Sequence, residues 1–149
     1  MGSVVIFEVA AQRFGLPLDR VEQAVRMVEI TPLPTAPAVV AGIINVRGSV
    51  LPAIDMRHRF HLPQRASRLS DQLLIVDSTT RRLALWVDAV GDVATYTDAD
   101  FTGADAVVPG MESLRGIARL ADGLVLIQDI ERLLTADEER ALAEAIDRV

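Results

Sequence analysis

Alternating aliphatic and polar residues, interrupted by short polar turns, make up most of this chain. A period of two residues is typical of β-strands that bury one face, whereas the apolar residues of a helix recur every three to four positions. The strands predicted from this pattern cover residues 4–9, 14–18, 39–46, 50–54, 73–77, 83–87, 90–96, 114–120 and 124–127. The chain is therefore predicted to be mainly β.

Short helices are predicted where a capping residue follows a strand. Asp19 precedes a predicted helical turn whose apolar residues share one face. These residues are Val21, Ala24, Val25 and Val28. Asp55 and Asp129 are each expected to cap a short helix. Thr135 begins a Thr-x-x-Glu capping box that opens a C-terminal helix over residues 135–149. We expect this helix to pack on the sheets, and a helix that binds a partner is the alternative.

Three segments are predicted to be irregular. Residues 31–37 contain three prolines and form a rigid connection, and residues 61–71 are polar and exposed. Residues 97–113 are predicted to be a mobile acidic loop. Because proline cannot donate a backbone hydrogen bond, Pro17 and Pro52 are predicted to lie at sheet edges.

The sequence contains two similar halves. The segment that begins at Gly42 returns at Gly116, and the two copies carry an apolar run followed by Asp55 and Asp129. The strands that precede these segments also match, in the pairs Ile6-Phe7 with Ile75-Val76, Leu18-Asp19 with Val87-Asp88 and Val21 with Val90. Such self-similarity indicates a repeated architecture, with chance similarity between aliphatic strands as the alternative.

This repeat predicts one domain over residues 1–149. Its first subdomain covers about residues 14–71 and its second about residues 72–134, with the N-terminal strand as a further candidate for the second. Residues 135–149 form the C-terminal helix. Two units are too few for a solenoid and suit two small lobes that bury their faces against each other.

The composition excludes several classes of protein. The 149 residues carry a formal net charge of -6, so the chain is a poor general binder of nucleic acid. All fifteen basic residues are arginine, for which biased codon usage is the simplest explanation. The absence of cysteine excludes disulfides and thiolate chemistry. No apolar run approaches the roughly 18 residues of a membrane span, and a cytoplasmic location is expected.

No motif for catalysis or metal binding is present. The phosphate-binding, dinucleotide-binding, zinc-protease and serine-hydrolase motifs are all missing. His58 and His61 are three residues apart, but no further ligand accompanies them at the required spacing. Residues 98–103 begin like a calcium loop, yet Pro109 stands where a glutamate is needed. We therefore expect no metal, no cofactor and no enzymatic activity, and a binding module is the default interpretation.

A set of motifs along the chain carries a resemblance to a known family. The motifs are Leu16-Pro17-Leu18 with Val21, Leu33-Pro34-x-x-Pro37, Gly42-Ile-Ile-Asn45-Val-Arg47-Gly48, Pro52-x-x-Asp55-x-Arg57, Gly116-x-x-x-Leu120 and Asp129-Ile-Glu-Arg-Leu-Leu134. From about Val4 to Leu134 the chain resembles the CheW-like family of bacterial chemotaxis adaptors. The pair Gly-x-x-Asn-x-Arg-Gly and Pro-x-x-Asp-x-Arg is its most specific part.

The resemblance implies a fold and two partners. The fold is two five-stranded SH3-like β-barrels packed together, with short connecting helices and a C-terminal helix. The implied function is an adaptor that joins the cytoplasmic tips of chemoreceptors to the regulatory domain of a CheA-type histidine kinase. The protein would then reach the membrane only through its receptors, at cytoplasmic receptor arrays, and would bind no nucleic acid.

The resemblance also assigns roles to residues. The receptor's helical hairpin is expected in a groove between the barrels, where the contact candidates are Arg47, Gly48, Val21 and Val39. A structural role for Arg47, tying the turn to a neighbouring loop, is equally open. The residues expected to be structural are Gly42, Asn45, Pro52, Asp55, Arg57, Gly116 and Asp129.

One departure from the family's pattern leaves alternatives open. Glu22-Gln23-Ala24 stands where many members carry an acidic residue and a bulky aliphatic residue, so the receptor contact differs in detail. A CheW-like adaptor of a twitching, gliding or other chemosensory pathway is one alternative. Another is a decoy domain that binds only one of the two partners, and a third is a metal- or ligand-binding enzyme whose site the motifs do not reveal.

Overall fold

The computed structural model describes residues 1–104 and 111–149, and within these ranges the chain forms eleven β-strands and two α-helices. The strands are β1 Gly2–Val9, β2 Gln12–Pro17, β3 Val21–Arg26, β4 Val40–Val46, β5 Ser49–Asp55, β6 Gln72–Asp77, β7 Arg82–Val87, β8 Ala89–Tyr96, β9 Phe101–Gly103, β10 Leu114–Leu120 and β11 Gly123–Gln128. The helices are α1 Met56–Arg59 and α2 Ala136–Asp147, and single 3-10 turns cover Leu18–Arg20, Asp98–Asp100 and Ile130–Arg132. The prediction of a mainly β chain with a C-terminal helix is confirmed.

The strands form two sheets. The six-stranded sheet has the order β8-β1-β2-β11-β10-β9, and the five-stranded sheet has the order β3-β6-β7-β5-β4. Each contains one parallel pair, β2 with β11 and β5 with β7, among antiparallel neighbours. Over the described ranges each order has two free ends, so neither sheet is a closed barrel, unlike the predicted pair of barrels.

The two sheets exchange strands between the halves of the sequence. Hairpin β1-β2 belongs to the first half but pairs with β8 and β11 of the second. Hairpin β6-β7 belongs to the second half and pairs with β3 and β5 of the first. The division between sheets therefore does not coincide with the sequence boundary at residue 72, because β3 to β7 form a continuous stretch of one sheet.

Both sheets contribute to one hydrophobic core. Its buried residues include Phe7 and Phe14 from the six-stranded sheet and Leu74 and Leu85 from the five-stranded sheet. Phe60, directly after α1, stacks on Phe14 with ring centroids 4.1 Å apart and an interplanar angle of 4°. Because the core is shared, the two sheets are packed against each other rather than only linked.

The residues Val21–Arg26 form a strand, β3, and not the predicted helical turn, and a single 3-10 turn at Leu18–Arg20 separates them from β2. β3 pairs with β6 along its length, and its residues alternate between half-buried and exposed. The pattern at Val21, Ala24, Val25 and Val28 fits a helical face, but Val21, Gln23 and Val25 also fit a strand. Pairing with the buried strand β6 decides between the two, because long-range contacts override local propensity.

Regular structure is present within the predicted acidic loop at residues 97–113. This segment contains a 3-10 turn and β9, which pairs with β10 at the edge of the six-stranded sheet. The predicted loop residues Asp105, Pro109 and Gly110, with the calcium-loop position of Pro109, lie outside the described residues. A Cβ on Gly116 would lie 2.4 Å from the ring of Phe101, so glycine at this position allows β9 to approach.

The two prolines predicted at sheet edges lie in interior strands. Pro17 ends β2, where it faces Val4 of β1 but lies beyond the two residues of β2 that pair with β11. Pro52 precedes the residues of β5 that pair with β7. Both prolines therefore lie next to a short parallel ladder and not within it. The missing N–H donor of proline thus removes no hydrogen bond from that ladder.

The C-terminal helix packs on the core, as predicted. Leu142 and Ala145 are buried, and Thr135 and Glu138 form the predicted capping box. Arg59 donates to both carboxylate oxygens of Glu138, at 2.6 and 3.0 Å, and joins α2 to the end of α1. Over the described ranges, no helix has the length and apolar character needed to cross a bilayer.

Candidate partner-binding surface

The corner between β4 and β5 is a two-residue hairpin turn. Arg47 has φ 52° and Gly48 has φ 85°, and Val46 pairs with Ser49 across the turn. Two consecutive residues with positive φ are characteristic of the type I′ turn, in which glycine is favoured at the second position. Asn45 Oδ1 accepts a hydrogen bond of 2.8 Å from Gly48 N and holds the corner closed.

Arg47 is exposed at the tip of this corner. Its guanidinium forms no hydrogen bond or ion pair with any residue in the described ranges. A side chain that tied the turn to a neighbouring loop would show such a contact. Arg47 therefore presents its charge and its donors to solvent, where a carboxylate or a carbonyl of a partner can reach them.

Val21 and Val39 have very different environments. Val21 begins β3, is half-buried and packs against the shared core from its edge. Val39 is fully buried, with 0% exposure, and its carbonyl accepts a hydrogen bond of 2.8 Å from Asp55 N. A partner cannot touch Val39 without displacing core residues, so Val39 supports the surface from beneath rather than lining it.

Gly42 brings the irregular connection against β4. Thr31 and Ile43 exchange two backbone hydrogen bonds of 2.9 and 2.8 Å across an isolated bridge. A Cβ on Gly42 would lie 2.2 Å from the carbonyl oxygen of Thr31, and Gly42 has φ 156°. Only glycine fits here, because a side chain would separate the two segments.

Asp55 and Arg57 organise the start of α1. The Asp55 carboxylate accepts hydrogen bonds from Arg57 N at 3.0 Å and His58 N at 3.2 Å, as a helix cap. Arg57 Nη2 donates to Asp88 Oδ2 at 2.6 Å, and Arg57 Nη1 to the carbonyl of Pro63 at 3.0 Å. Asp88 links β7 to β8, so Arg57 acts where the chain passes from one sheet to the other.

Asp129 has the equivalent capping role after β11. Its carboxylate accepts a hydrogen bond of 3.0 Å from Glu131 N, and Asp129 N donates to Ser113 O at 2.7 Å. Glu131 in turn accepts from Arg20 Nη2 and from Thr79 N. Arg20 closes the 3-10 turn that joins β2 to β3, which is the other passage between the sheets.

Residues 61–71 were predicted only as an exposed loop, but they contribute Arg65 and Asp71 to a buried ionic cluster. Arg65 donates to Asp71 Oδ1 at 2.7 Å and to Asp88 Oδ1 at 2.9 Å, and Trp86 Nε1 donates to Asp71 Oδ2 at 2.9 Å. Burial alone would raise the pKa of Asp71, but the hydrogen bonds from Arg65, Trp86 and Arg68 N outweigh it and lower that pKa to about 2.

The sequence carried no signal for this cluster beyond charge. Arg65 and Asp71 stand in a polar stretch without hydrophobic periodicity, so nothing local indicates that the Asp71 side chain is only 1% exposed. Besides pairing with each other, Asp71 accepts from Trp86 and Arg65 pairs with Asp88, and both of these partners come from the end of β7. Only the assembled sheet brings the four residues together.

A metal site is not formed by the residues that the structure describes. No group of three or more histidine, cysteine, aspartate or glutamate side chains in these ranges is arranged to hold an ion. His58 lies in α1, and His61 follows the helix with φ 56°.

The structure keeps the receptor-contact candidates on different parts of the molecule. Arg47 and Gly48 follow the edge strand β4, and Val21 begins the opposite edge strand β3. Both strands belong to the five-stranded sheet, and β6, β7 and β5 lie between them in its order. Any joint surface thus depends on curvature of the sheet.

Comparisons with known proteins agree with this architecture. Residues 3–138 match the family model described as a CheW-like domain. The chain is 27% identical to the chemotaxis protein CheW of Treponema pallidum, with 94% of this chain and 86% of the relative covered. It is 26% identical to the chemotaxis protein CheW of Rhizobium meliloti, with coverage of 93% and 90%.

A solved structure gives the same result for the fold. The scaffolding protein TtCheW from Thermoanaerobacter tengcongensis superimposes with a TM-score of 0.83 at 28% identity. The match covers 92% of this chain and 94% of TtCheW. Two mixed sheets around one core, an exposed Arg-Gly corner and a family match over almost the whole length lead to one conclusion: the chain belongs to the CheW-like family of chemotaxis scaffold and adaptor proteins.

Proposed function

We propose that this protein couples the cytoplasmic tips of chemoreceptors to the regulatory domain of a CheA-type histidine kinase. The observation that carries the proposal is the free guanidinium of Arg47 on a rigid type I′ corner, in a chain of the CheW-like family. A fixed cation suits the surface of a helical hairpin, which offers carboxylates and terminal carbonyls.

The receptor site in this proposal combines the Arg47–Gly48 corner with Val21. An aliphatic side chain that is half-buried at a sheet edge gives an apolar contact without the cost of unfolding the core. The arrangement requires the five-stranded sheet to curl as an SH3-like barrel does, so that its two edges face the same groove. The adaptor performs no chemistry of its own, and it acts in the cytoplasm at receptor arrays.

Titration calorimetry against the regulatory domain of a CheA-type kinase from the same genome, with and without a receptor-tip fragment, tests the proposal. We expect binding to the kinase domain that persists or tightens when the tip is present. Binding to one partner and not to the other would favour the decoy function. Binding to neither would refute the coupling function while leaving the family assignment intact.

A further inference from the structure

The two sheets are joined at few points of the chain. Over residues 1–104 and 111–149, every ladder pairs strands of the same sheet, and the strands change sheets at the 3-10 turn Leu18–Arg20 and at Asp88. The shared core resists separation of the sheets, but apolar contacts are not directional and permit small rotations of packed elements. The angle between the sheets therefore depends on directional contacts that cross from one to the other.

Helix α2 supplies such contacts. It follows β11 of the six-stranded sheet, through the 3-10 turn Ile130–Arg132, yet its side chains bond to elements that belong to the five-stranded sheet. The contacts are those of Arg59 with Glu138 at 2.6 and 3.0 Å, Arg81 with Glu139 at 2.7 Å and Arg148 with Thr35 at 3.2 Å. The partners lie after β5, in the β6-β7 turn and in the connection between β3 and β4. The helix thus spans the boundary between the sheets.

The two ion pairs of this helix are largely shielded from water. The side chains of Arg59 and Glu138 are 15% and 20% exposed, and those of Arg81 and Glu139 are 23% and 26% exposed. Burial alone would raise the pKa of Glu138, but the hydrogen bonds from Arg59 and from Thr135 N outweigh it and lower that pKa. Shielded pairs with this geometry restrict orientation more than exposed pairs do.

The boundary that these pairs cross is incompletely packed. A cavity of about 240 Å³ separates the β6-β7 turn from the start of α2. Its lining includes Ser78, Thr80 and Leu83 on one side and Ile130, Leu134 and Ala136 on the other. Side chains that face a cavity lack the contacts that would otherwise fix their positions. The Arg81–Glu139 pair joins the two sides, so it determines their separation where packing does not.

We propose that Arg81 and Arg59 are positioning residues, which make α2 a clamp that fixes the angle between the two sheets. The receptor-contact candidates Arg47 and Val21 both lie in the five-stranded sheet. The clamp therefore sets the position of the receptor surface relative to everything that the six-stranded sheet carries. This consequence rests on the proposed coupling function, whereas the clamp itself does not.

Distance measurements between two spin labels test the clamp directly. Because the chain has no cysteine, Arg26→Cys in β3 and Thr95→Cys in β8 place one label on each sheet, at exposed positions. By double electron–electron resonance we expect one narrow distance distribution for the labelled chain. Arg81→Glu and Arg59→Ala should each make the distribution at least twice as broad. Glu139→Gln removes one pair without adding repulsion, and it replaces Arg81→Glu if that variant lowers the folded fraction.

Two controls separate the clamp from general destabilisation. Arg140→Glu makes the same charge change as Arg81→Glu, but Arg140 pairs with Asp137 of the same helix, so the distribution should stay narrow. Exchange of the charges, Arg81→Glu together with Glu139→Arg, should restore most of the narrow distribution. Unchanged distributions for Arg81→Glu and Arg59→Ala, or a broadening that the exchange does not reverse, would refute the clamp.

The consequence for coupling has a separate readout. For Arg81→Glu we expect calorimetry to give unchanged affinities for the receptor-tip fragment and for the kinase domain, each measured alone. The change in autophosphorylation of a CheA-type kinase that the tip fragment causes should fall at least threefold. Broadened distances with an unaltered change in kinase activity would overturn this consequence. If the unsubstituted protein binds neither partner, the proposed function fails, and the distance distributions still decide whether α2 is a clamp.

Discussion

Arg57 and Glu131 occupy equivalent positions of the repeat and form ion pairs of opposite polarity. Arg57 pairs with Asp88 at the passage from β7 to β8, and Glu131 pairs with Arg20 at the passage from β2 to β3. Each pair holds the helical turn after one hairpin against a point where the chain changes sheets. Asp88 matches Asp19 in the repeat, so Glu131 pairs with the residue directly after the equivalent position, and the charges of the contact are reversed.

The two pairs are expected to differ in strength. The Arg57–Asp88 side chains are 12% and 24% exposed, whereas those of Arg20 and Glu131 are 33% and 40% exposed. Arg57→Ala should lower the free energy of unfolding by about 2 kcal/mol, and Arg20→Ala by less than about 1 kcal/mol. Urea denaturation of the two variants measures the difference, and equal losses would contradict it.

The two glycines of hairpin β4-β5 should respond very differently to alanine. Gly42→Ala places a Cβ 2.2 Å from the carbonyl oxygen of Thr31, and we expect a loss of about 3 kcal/mol or more. Gly48→Ala meets no atom within 4 Å and costs about 1 kcal/mol for its positive φ. Thermal denaturation of the pair is the test. A greater loss for Gly48→Ala would mean that the Thr31 contact is dispensable.

Asp71 should make the stability depend on acid pH. Its pKa in the folded state is about 2, below its ordinary value of 3.8, so the charged carboxylate stabilises the fold. This contribution, on the order of 2 kcal/mol, is fully present above about pH 5 and is lost as the pH falls through 2. Urea denaturation from pH 7 to pH 2 should show Asp71→Asn to be less stable at pH 7, with the difference narrowing at low pH. A constant difference would exclude this cause.

Arg47→Glu should weaken binding to the receptor tip at least tenfold without lowering the melting temperature, because Arg47 has no contact within the described chain. Arg119→Glu makes the same charge change at an exposed position of β10 and serves as the control. Calorimetry and thermal denaturation of both variants give the two readouts. Unfolding of Arg47→Glu would show that the residue is structural after all.

Val21→Asp should impair binding to the receptor tip more than binding to the kinase domain, since a charge in an apolar contact is desolvated without a partner. Val39→Asp buries the same charge in the core, and we expect it to unfold the protein rather than to affect one partner. Equal loss of both partners by a folded Val21→Asp variant would place the receptor groove elsewhere.

Much of the local structure follows from the sequence because its causes are local. The alternation of aliphatic residues predicted the hairpins β4-β5 and β10-β11 to within a few residues. Asp55, Asp129 and Thr135 cap the segments that follow them because their side chains reach backbone N–H groups only two or three residues away. Of the tertiary structure, the sequence indicated the internal repeat.

Which strands pair was decided only by the tertiary structure. Alternation shows that a strand has a buried face but does not identify its neighbours, so the exchange of β1-β2 and β6-β7 between the halves has no local signal. The same limit explains why β3 was predicted as a helical turn and why β9 was missed. In the sequence, Arg65 and Asp71 are indistinguishable from loop residues, because their partners Trp86 and Asp88 come from the end of a distant strand. Local chemistry thus determined the elements, and long-range pairing determined what each of them buries.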